Sequence, residues 1–439
     1  MAEKNQITGK KSVLFSIGSE TIPQLLEFLR DRGISRVILV SDENEYRALG
    51  ARVEQALQQN SIEVHNVVLR GEAVSADEVS ITQALLPSDE SNQMYIAVGS
   101  GTLTDIVRFV SYRAKSDFIC LPTAPSVDGF ASSGSSMTIN GFKQTILSKP
   151  PLAIFADMDT LCNAPPGLIA SGFGDMFGKY SALADWKLAH LIVNEPYNDV
   201  IAKRSRAARD SVAAASFKLT EDHEGSVLKV MEALVEEGLC MLEYGNSRPA
   251  SGAEHHFSHY WEMKLLREKR PAVFHGSKVG IASIIIAGCY QLLHEISRDE
   301  AAACLSRTVR PDPEHEKDAI IRGFGNRLAE TVTGTQAFYL SMADGDYQDL
   351  KNSIISHWDK VKQIAEQVPG QEVLINMLKQ VGGVYHPSSL GMTDQDVLDA
   401  LTYAHYVRGG FTILKLGRML GWTAEFLFEM VVKGIPGDY

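Results

Sequence analysis

Three residues of types that bind metal ions stand in local sequences suited to that role. Asp175 follows Gly-Phe-Gly, His255 lies in Glu-His-His-Phe-Ser-His, and His275 precedes Gly-Ser-Lys. Each is expected at the start of a separate helix, and the helix of Asp175 is expected to begin near Ser171. One carboxylate and two imidazoles leave a coordination position open, which is typical of a catalytic divalent metal rather than a structural one. A substrate oxygen at that position would take part directly in the chemistry.

A fourth residue, His259, lies four residues after His255 and therefore on the same face of a helix. A lone histidine on such a helix is more often structural. Here, however, His275 follows beyond a break at Arg270-Pro271. Two antiparallel helices joined at that break can bring His255 and His275 to one ion. His259, one turn further along, could then face a substrate as a hydrogen-bond partner or proton relay.

The composition predicts a soluble, cytoplasmic protein. With 439 residues, 45% of them apolar and 22% charged, the chain can form two domains with full cores. Its net charge of −12 argues against a nucleic-acid surface or a polybasic membrane patch. The five cysteines lack CxxC spacing, which indicates reduced thiols, and the N-terminal residues lack the apolar segment of a signal peptide. The apolar stretch 279–293 is too short to cross a membrane, so we expect a core helix there.

Strand and helix patterns alternate over the first 160 or so residues. The helical periodicity falls at 22–32, 45–60 and 75–86, and the strand-like runs are 13–17, 36–40, 62–68, 94–98, 117–121 and 152–155. This alternation predicts right-handed βαβ units and a mostly parallel sheet covered on both faces. Within it, Asn140-Gly141 stands between two β-prone arms and predicts a hairpin that forms a flap beside the sheet.

The strand patterns stop after about Pro166. Helices are expected at 168–193, 197–218, 225–242, 250–266 and 276–295, with further helices later in the chain. The fold class is therefore an α/β N-terminal domain with a Rossmann-like parallel sheet, followed by an all-α C-terminal domain. We place a dinucleotide-binding domain at residues 1–165 and a helical metal- and substrate-binding domain at residues 166–439.

Two loops of the first domain have compositions that suit a dinucleotide. Gly99 and Gly101 follow a buried strand and let the backbone approach a ligand, and a helix start at Thr102 offers N–H groups to a pyrophosphate. The loop 121–132 after the next strand is rich in hydroxyls and contains one carboxylate, Asp128, although an ordinary Asx turn would look similar. Asp42, at the end of the second strand, could accept hydrogen bonds from a ribose or could simply be a polar strand end.

At these residues the chain resembles the iron-containing alcohol dehydrogenase and dehydroquinate synthase-like superfamily, and specifically the glycerol-1-phosphate dehydrogenases. Five blocks carry the resemblance, at 99–105, 122–132, 172–175, 251–259 and 274–276. The 251–259 block looks most like the bacterial branch that uses nickel or zinc. Two departures stand out: Ser100 replaces a glycine common in the family, and the region after about residue 300 is longer than in archaeal members. A dimer surface is one role that the longer region could have.

The resemblance implies reduction of dihydroxyacetone phosphate to sn-glycerol 1-phosphate by NAD(P)H, and the reverse reaction, in a homodimer. By the match, Asp175, His255 and His275 would hold one divalent ion, nickel or zinc. Asp128, Asp175 and His259 would contact the substrate, and Asp128 and His259 are the candidate catalytic residues. The predicted dinucleotide contacts, together with Asp42, are Gly99, Gly101, Thr102, Leu103, Thr104, Asp105, Thr123, Ala124, Pro125, Ser126 and Ser132.

The expected chemistry is hydride transfer to a ketone whose oxygen is polarised by the metal, in a cleft between the domains. Asp128 is a poor phosphate partner because both are anionic, so it is expected to accept a substrate hydroxyl. The sequence supplies several cations for the phosphate: Lys143, Lys179, Arg270 and Lys278. Two other activities remain open: a dehydrogenase of glycerol or another polyol, and a lyase like dehydroquinate synthase that uses NAD catalytically. The preference between NADH and NADPH is also open.

Overall fold

A computed structural model describes residues 4–8, 11–71, 74–88, 93–335 and 338–437. Its main sheet has seven strands in the order β1-β2-β9-β6-β5-β3-β4, and a separate hairpin pairs β7 with β8. Neighbours in the main sheet are parallel, except that β1 is antiparallel to β2. The strands are β1 (Lys4–Thr8), β2 (Lys11–Gly18), β3 (Arg36–Asp42), β4 (Glu63–Leu69), β5 (Met94–Val98), β6 (Phe118–Leu121), β7 (Gly134–Ile139), β8 (Phe142–Leu147) and β9 (Ala153–Asp157).

The central strands are apolar because both faces of the sheet are covered. Every residue of β5, β6 and β9 is buried. The chain passes from β3 to β4 on one side and then returns to place β5 on the other side of β3. In an open parallel sheet, such a reversal leaves a crevice at the carboxyl ends of the two flanking strands, and ligands commonly bind there. Here that crevice lies at the ends of β3 and β5.

The predicted hairpin is confirmed. Asn140 and Gly141 form its two-residue turn with φ values of 54° and 78°, which is the left-handed conformation that Asn-Gly favours. The hairpin is attached to the segment just before the helix Glu78–Leu85, because Thr138 N donates to Ala76 O at 2.8 Å. Asn140 N also donates to Glu78 Oε1 at 2.6 Å. The hairpin is therefore fixed near its tip.

The three predicted helices of the sheet-containing part, and the helix expected after Gly101, are confirmed in approximate place, and a short helix at Met158–Cys162 was not predicted. The predicted helix at 45–60 is interrupted, since Tyr46–Gly50 forms a π-helical turn between two α-helices. The helices are α1 (Thr21–Asp31), α2 (Glu43–Glu45), α3 (Ala51–Gln59), α4 (Glu78–Leu85), α5 (Gly101–Arg113) and α6 (Met158–Cys162).

The remainder of the described chain is helical, as predicted. Short 3₁₀ turns occur at Pro387–Leu390 and Ala404–Tyr406, and a π-helical turn at Phe428–Val432. The α-helices are α7 (Pro166–Phe177), α8 (Lys179–Val193), α9 (Asp199–Ser216), α10 (His223–Tyr244), α11 (Ala253–Arg267), α12 (His275–Glu295), α13 (Arg298–Arg307), α14 (Pro313–Phe324), α15 (Asn326–Thr335), α16 (Asp344–Ser356), α17 (Trp358–Ala365), α18 (Gln371–Gln380), α19 (Asp394–Tyr403), α20 (Ile413–Met419) and α21 (Ala424–Leu427).

The helix that carries Asp175 begins earlier than the sequence predicts. It starts at Pro166, where proline suits the first turn, and it ends at Phe177 before a break at Gly178. Asp175 is therefore near the carboxyl end of α7 rather than just inside a helix that starts near Ser171. The prediction of three ligands at three helix starts is wrong for this residue and correct for His255 and His275.

The chain separates into two compact units whose boundaries differ from the predicted division at residue 165. Unit 1 combines Met1–Met176 with Ala207–Ser247, and unit 2 combines Phe177–Arg206 with Arg248–Tyr439. The long helix α10 belongs to unit 1 because Gly238 lies directly against the backbone of Asp128 and Ala131; a Cβ there would approach both at 2.9 Å. The functional assignment of the two predicted domains stays a prediction.

Among the residues that the structure describes, one helix is long and apolar enough to cross a membrane by length and composition alone. It is α12, with a mean hydropathy of 1.4 over an 18-residue window that is 83% buried within the fold. The core helix of a globular protein passes the same test. The isoleucines of α12 at 284, 285 and 286 are buried, which shows that this helix packs inside unit 2. The predicted core helix is confirmed.

Candidate active site

The start of α11 is fixed by two buried carboxylates. Asp185 Oδ2 accepts a hydrogen bond from Ala253 N at 2.7 Å, and Glu254 Oε1 accepts one from Gly252 N at 2.7 Å. These bonds satisfy amide groups that the first turn of a helix leaves without intrahelical partners. His255 is the third residue of α11, so its position is set by this anchored turn.

An ion-paired arginine stabilises the connection between α11 and α12. Arg270 Nη1 lies 3.0 Å from both carboxylate oxygens of Asp396, and its Nη2 donates to Gly391 O at 2.6 Å. Lys264 Nζ is a further 3.0 Å partner of Asp396. The predicted break at Arg270-Pro271 thus becomes an anchored turn, after which α12 begins at His275.

The three predicted metal ligands converge. Each of Asp175, His255 and His275 offers a ligand atom, and these atoms all lie within 4.8 Å of one another. The rings of His255 and His275 have centroids 5.3 Å apart. Asp175 stands on the last turn of α7, whose final residue already belongs to unit 2. A carboxylate and two imidazoles at this spacing fit one divalent ion with an open coordination position.

Glu254 orients the imidazole of His255. His255 Nδ1 lies 2.8 Å from Glu254 Oε1, and Ser181 Oγ donates to Glu254 Oε2 at 2.6 Å. Burial opposes ionisation of Glu254, but the hydrogen bonds from His255, Ser181 and Gly252 outweigh it and lower the pKa of Glu254. The carboxylate holds Nδ1, which leaves Nε2 of His255 for the metal, an arrangement common around zinc-binding histidines.

We predict that Glu254→Gln weakens metal binding by about tenfold while preserving the fold, because the amide keeps the hydrogen-bond geometry but loses the charge that makes His255 more basic. The measurement is competition for the metal against a chromophoric chelator. Glu295→Gln, on the exposed end of α12, is the matched control and should bind metal as the wild type does. Equal metal affinity of the two variants would contradict the role of Glu254.

The structure adds a residue that the sequence did not predict. His259, Glu262 and His275 form a second group whose ligand atoms lie within 4.8 Å of one another. Glu262 Oε2 is 3.5 Å from His259 Nδ1 and 3.5 Å from Lys278 Nζ. The signal was present in the sequence, since residues 255, 259 and 262 share one helical face. Glu262 therefore belongs to the candidate site as a partner of His259.

His259 is neutral at physiological pH. Burial lowers the pKa of His259 to about 4; the hydrogen bond with Glu262 opposes this shift and the charge of Arg408 adds to it. The ring of His259 lies 5.5 Å from that of His275, centroid to centroid. His259 thus lies near the predicted metal ligand His275, and its catalytic role stays a prediction.

Asp128 is joined through its backbone to Asp175, a predicted metal ligand. Asp128 N donates to Asp175 Oδ2 at 3.0 Å, and Ser171 Oγ donates to Ser126 O at 3.2 Å. Two residues of helix α7, Ser171 and Asp175, therefore hydrogen-bond to the backbone of the loop 122–132. Gly172 permits this contact, because a Cβ there would stand 1.8 Å from Pro125 O. The predicted substrate residue Asp128 lies next to a predicted metal ligand.

The first glycine loop has the predicted form at the crevice between β3 and β5. Gly99 has a φ of 153°, and a Cβ on it would stand 2.7 Å from the side chain of Leu103. A Cβ on Gly101 would stand 2.5 Å from Val127, so this glycine allows the two loops to pack together. Gly101 and Thr102 are half-buried at the first turn of α5, where free N–H groups are available to an anion.

Other residues of the 99–105 block face the protein interior. Leu103 and Thr104 are buried, and Thr104 lies 3.7 Å from Cys120 Sγ. Asp105 pairs with the buried Arg108 at 2.6 Å, and burial raises the pKa of Asp105 to about 6 although Arg108 opposes the shift. Arg108 also binds two carbonyls of the second loop, Gly129 O and Phe130 O, and the carbonyl of Gly134 at the start of β7. The side chain of Asp105 thus helps to fix that loop.

Asp42 has a structural role that the sequence left open. It caps the helix after β3, since its Oδ1 accepts from Asn44 N and Glu45 N at 2.9 Å each. Glu45 in turn accepts a hydrogen bond from Thr123 Oγ1. Burial raises the pKa of Glu45, with Asp42 adding to the shift and Thr123 opposing it. Glu45 was not among the predicted residues, and it links the carboxyl ends of β3 and β6.

The remaining predicted dinucleotide residues lie together in the second loop. Ala124 and Ser126 are buried, and Ser132 Oγ donates to Gly129 O at 3.1 Å. These contacts show how the loop is held, and the direct contacts of Asp42, Gly99, Gly101–Asp105, Thr123–Ser126 and Ser132 with a dinucleotide stay predictions.

We predict that Asp396→Asn lowers the free energy of unfolding at pH 7 by about 2 kcal/mol. Burial opposes ionisation of Asp396, but Thr393, Lys264 and Arg270 hold its pKa at about 2, below the ordinary 3.8. Because the folded-state pKa is depressed, this stability is present above about pH 4 and is lost as the pH falls towards 2. Urea denaturation at stepped pH should therefore show the variant and wild type converging in acid.

Asp394→Asn provides the control for this prediction. Asp394 is exposed in the same first turn of α19, so it shares the helix-terminus effect without the two cations. A constant difference between Asp396→Asn and the wild type from pH 7 to pH 3 would contradict the proposed ion-pair contribution.

Known proteins that resemble this chain indicate its structural class. Residues 16–165 match the model of the iron-containing alcohol dehydrogenase family. The structure is similar to glycerol dehydrogenase from Schizosaccharomyces pombe, with a TM-score of 0.61 and 16% identity, over 95% of this chain and 90% of that one. The fold is that of the iron-containing alcohol dehydrogenases, and the predicted fold class is confirmed.

Sequence relatives then define the family. The chain is 36% identical to glycerol-1-phosphate dehydrogenase [NAD(P)+] of Geobacillus thermodenitrificans, over 91% of this chain and 90% of that protein. It is also 36% identical to the enzyme of the same name from Pyrococcus furiosus, but over 64% of this chain and 78% of that protein. This chain belongs to the glycerol-1-phosphate dehydrogenase family, as the sequence resemblance indicated.

Proposed function

We propose that this protein interconverts dihydroxyacetone phosphate and sn-glycerol 1-phosphate, with NAD(P) as the hydride carrier. Family membership supports the reaction, and one structural observation carries it: the ligand atoms of Asp175, His255 and His275 lie within 4.8 Å of one another. These residues fit a divalent metal, which we propose to be nickel or zinc. When bound, such an ion supplies Lewis-acid stabilisation of the oxygen that becomes negative as hydride arrives.

The protein's own residues would position the two reactants. The glycine loop at the carboxyl end of β5 and the loop 122–132 are proposed to bind the dinucleotide. Asp128 would accept a hydrogen bond from a substrate hydroxyl, which its burial next to Asp175 supports. His259, held by Glu262, would serve as a hydrogen-bond partner or proton relay for the substrate oxygen.

The contacts of the candidate cations indicate which of them could bind the phosphate group of the substrate. Lys179 Nζ donates to the backbone oxygen of Ala250 at 3.0 Å, and Arg270 binds Asp396. Both therefore have structural roles. Lys278 lies three residues after His275, on the same side of α12, and is 3.5 Å from Glu262. We propose Lys278 as one phosphate contact.

The alternative activities differ in their net reaction. A polyol dehydrogenase of this fold would act on the unphosphorylated ketone, and a lyase like dehydroquinate synthase would return the hydride and leave no net reduced cofactor. The names of the relatives favour the phosphorylated substrate. We also propose that the protein acts as a homodimer in the cytoplasm, without a nucleic-acid or membrane partner.

The test is a spectrophotometric assay of reduced nicotinamide on metal-depleted protein, with single divalent ions restored in turn. Oxidation of NADH or NADPH should depend on a restored metal and on dihydroxyacetone phosphate. Activity on dihydroxyacetone or glycerol that matches activity on the phosphorylated compound would favour a polyol dehydrogenase. Conversion of substrate without any change in nicotinamide absorbance would favour the lyase.

A further inference from the structure

One buried carboxylate in unit 2 contacts three different helices. Asp185 belongs to α8 and is fully buried. Its Oδ1 accepts hydrogen bonds from Tyr290 OH in α12 and from Ile413 N at the start of α20, both at 2.7 Å. Its Oδ2 accepts one from Ala253 N at the start of α11, also at 2.7 Å. Asp185 therefore connects the two histidine-bearing helices, α11 and α12, with a helix of the long C-terminal region.

The backbone of Asp185 is held as well, by Arg248. Nη2 of Arg248 donates to Asp185 O and to Phe411 O, both at 2.9 Å, and its Nε donates to Glu195 Oε1 at 2.7 Å. Arg248 lies shortly before the start of α11, and Phe411 lies shortly before the start of α20. The segments that lead into these two helices are therefore bound to α8 through Arg248, in addition to the bonds that the carboxylate of Asp185 makes.

The carboxylate of Asp185 packs closely against the turn that orients a predicted metal ligand. A Cβ on Gly252 would stand 2.7 Å from Asp185 Oδ2 and 3.0 Å from Glu254 Oε2, so both carboxylates lie against this glycine. Glu254 Oε1 accepts a hydrogen bond from Gly252 N and lies 2.8 Å from His255 Nδ1. Movement of Asp185 would therefore displace the turn that contains Glu254, and the ring of His255 would move with it.

The three bonds to Asp185 require a carboxylate, because every partner is a donor. An ionised carboxylate only accepts hydrogen bonds, whereas the side-chain amide of asparagine has one accepting oxygen and one donating nitrogen. In Asp185→Asn the amide oxygen would keep the two bonds from Tyr290 and Ile413, since the reverse orientation loses two bonds instead of one. The amide nitrogen would then face Ala253 N without an acceptor. The substitution therefore releases the start of α11 and leaves the bonds to α12 and α20 in place.

We propose that Asp185 is a positioning residue for the metal centre, which fixes His255 relative to His275 by joining α11, α12 and α20 through one carboxylate. The inference rests on the metal site of the proposed function and is independent of the substrate. It gives the long C-terminal region a role that the sequence left open, because α20 supplies one of the three fixed points. It also predicts that metal affinity depends on Asp185 and Tyr290, which are not among the predicted ligands.

The experiment compares Asp185→Asn and Tyr290→Phe with Ser353→Ala. The control removes a 2.9 Å hydrogen bond from Ser353 Oγ to Ile192 O, near the other end of the same helix α8. Competition against a chromophoric chelator measures the affinity for zinc. We expect zinc to bind about tenfold more weakly to Asp185→Asn, about threefold more weakly to Tyr290→Phe, which loses one hydrogen bond, and as tightly as wild type to Ser353→Ala. Unchanged affinity in Asp185→Asn, or an equal loss in Ser353→Ala, would overturn the proposal.

Two further measurements distinguish positioning from a general loss of stability. The visible absorption of the cobalt-substituted protein depends on the ligand geometry, so its bands should shift in Asp185→Asn and stay unchanged in Ser353→Ala. Amide hydrogen exchange of the metal-free proteins, whose folding is checked by thermal unfolding, should be faster in Asp185→Asn over residues 250–256 and nearly unchanged over residues 411–416. A wild-type cobalt spectrum together with wild-type exchange over residues 250–256 in Asp185→Asn would overturn the positioning role.

These measurements also separate this inference from the proposed function, because none of them requires turnover. If the wild type fails to reduce dihydroxyacetone phosphate while zinc affinity, cobalt absorption and amide exchange follow the expected pattern, the proposed reaction fails and the positioning role of Asp185 stands. If the wild type reduces dihydroxyacetone phosphate and Asp185→Asn binds zinc as tightly as the wild type, the proposed reaction stands and the positioning role fails.

Discussion

Replacing His275 with alanine is expected to lower kcat by about 10³-fold or more while leaving the protein folded, and Asp175→Asn should do the same. Both residues offer ligand atoms within 4.8 Å of each other and of His255. Loss of one ligand removes the charge stabilisation that the metal provides to the developing oxyanion. The measurement pairs steady-state kinetics with metal content and with thermal unfolding. Exhaustive chelation of the wild type should produce the same loss, and restoring the ion should reverse it.

His294→Ala is the matched control, because His294 lies on the same helix with its side chain 47% exposed and only a distant partner, Glu366, at 3.8 Å. It should retain both metal and activity. Full activity of the chelated wild type, with no metal detected, would rule out the metal assignment. A His275→Ala variant that keeps metal and turnover would rule out this ligand set.

The second large effect is expected from Gly172→Ala, which adds a single methyl group. A Cβ at this position would stand 1.8 Å from Pro125 O and 2.9 Å from Pro125 C. Since the obstacle is backbone, helix α7 and the loop 122–132 must move apart. We expect a loss of about 3 kcal/mol in the free energy of unfolding. Activity should fall about 100-fold, because a displacement near 1 Å misplaces catalytic groups.

Gly129→Ala is the control for this prediction. Gly129 belongs to the same loop, but a Cβ there would find nothing within 4 Å, so its stability should stay close to that of the wild type. Denaturant unfolding and kinetics report the two effects separately. Gly172→Ala with wild-type stability and turnover would show that the loop does not depend on close contact with α7.

Much of the fold could be predicted because its signals are local. The apolar runs that became β3, β5, β6 and β9 are buried on both faces, and continuous apolar runs are typical of such strands. Asn140-Gly141 predicted its hairpin for a similar reason, since only a few residue types adopt a positive φ readily. The start of α7 was misplaced, since the helix of Asp175 was expected near Ser171 and begins at Pro166, before Gly172 and Gly174. Those glycines instead lie inside the helix, where Gly172 permits contact with Pro125.

Parts of the candidate site depended on contacts between distant segments. Asp105 was predicted as a dinucleotide contact, and the structure shows that it also pairs with Arg108, which binds the carbonyls of Gly129, Phe130 and Gly134. Glu45 and Asp185 carried no recognisable motif. Their roles arise from contacts with distant residues, since Thr123 Oγ1 donates to Glu45 and since Asp185 accepts from both Ala253 N and Ile413 N. No local pattern in the sequence reports such distances.

The sequence by itself determined the identities and order of the chemical groups: one carboxylate and two imidazoles for a metal, and two small-residue loops after parallel strands. These follow from residue type, periodicity and turn preference, which act over a few neighbours. Tertiary structure alone decided which groups meet. It brought Asp175 to His255 and His275, turned Glu254 towards His255, and set the turn Ala404–Tyr406 against α11. The physical reason is that long-range packing and buried hydrogen bonds, rather than local backbone preference, determine distances between segments far apart in the chain.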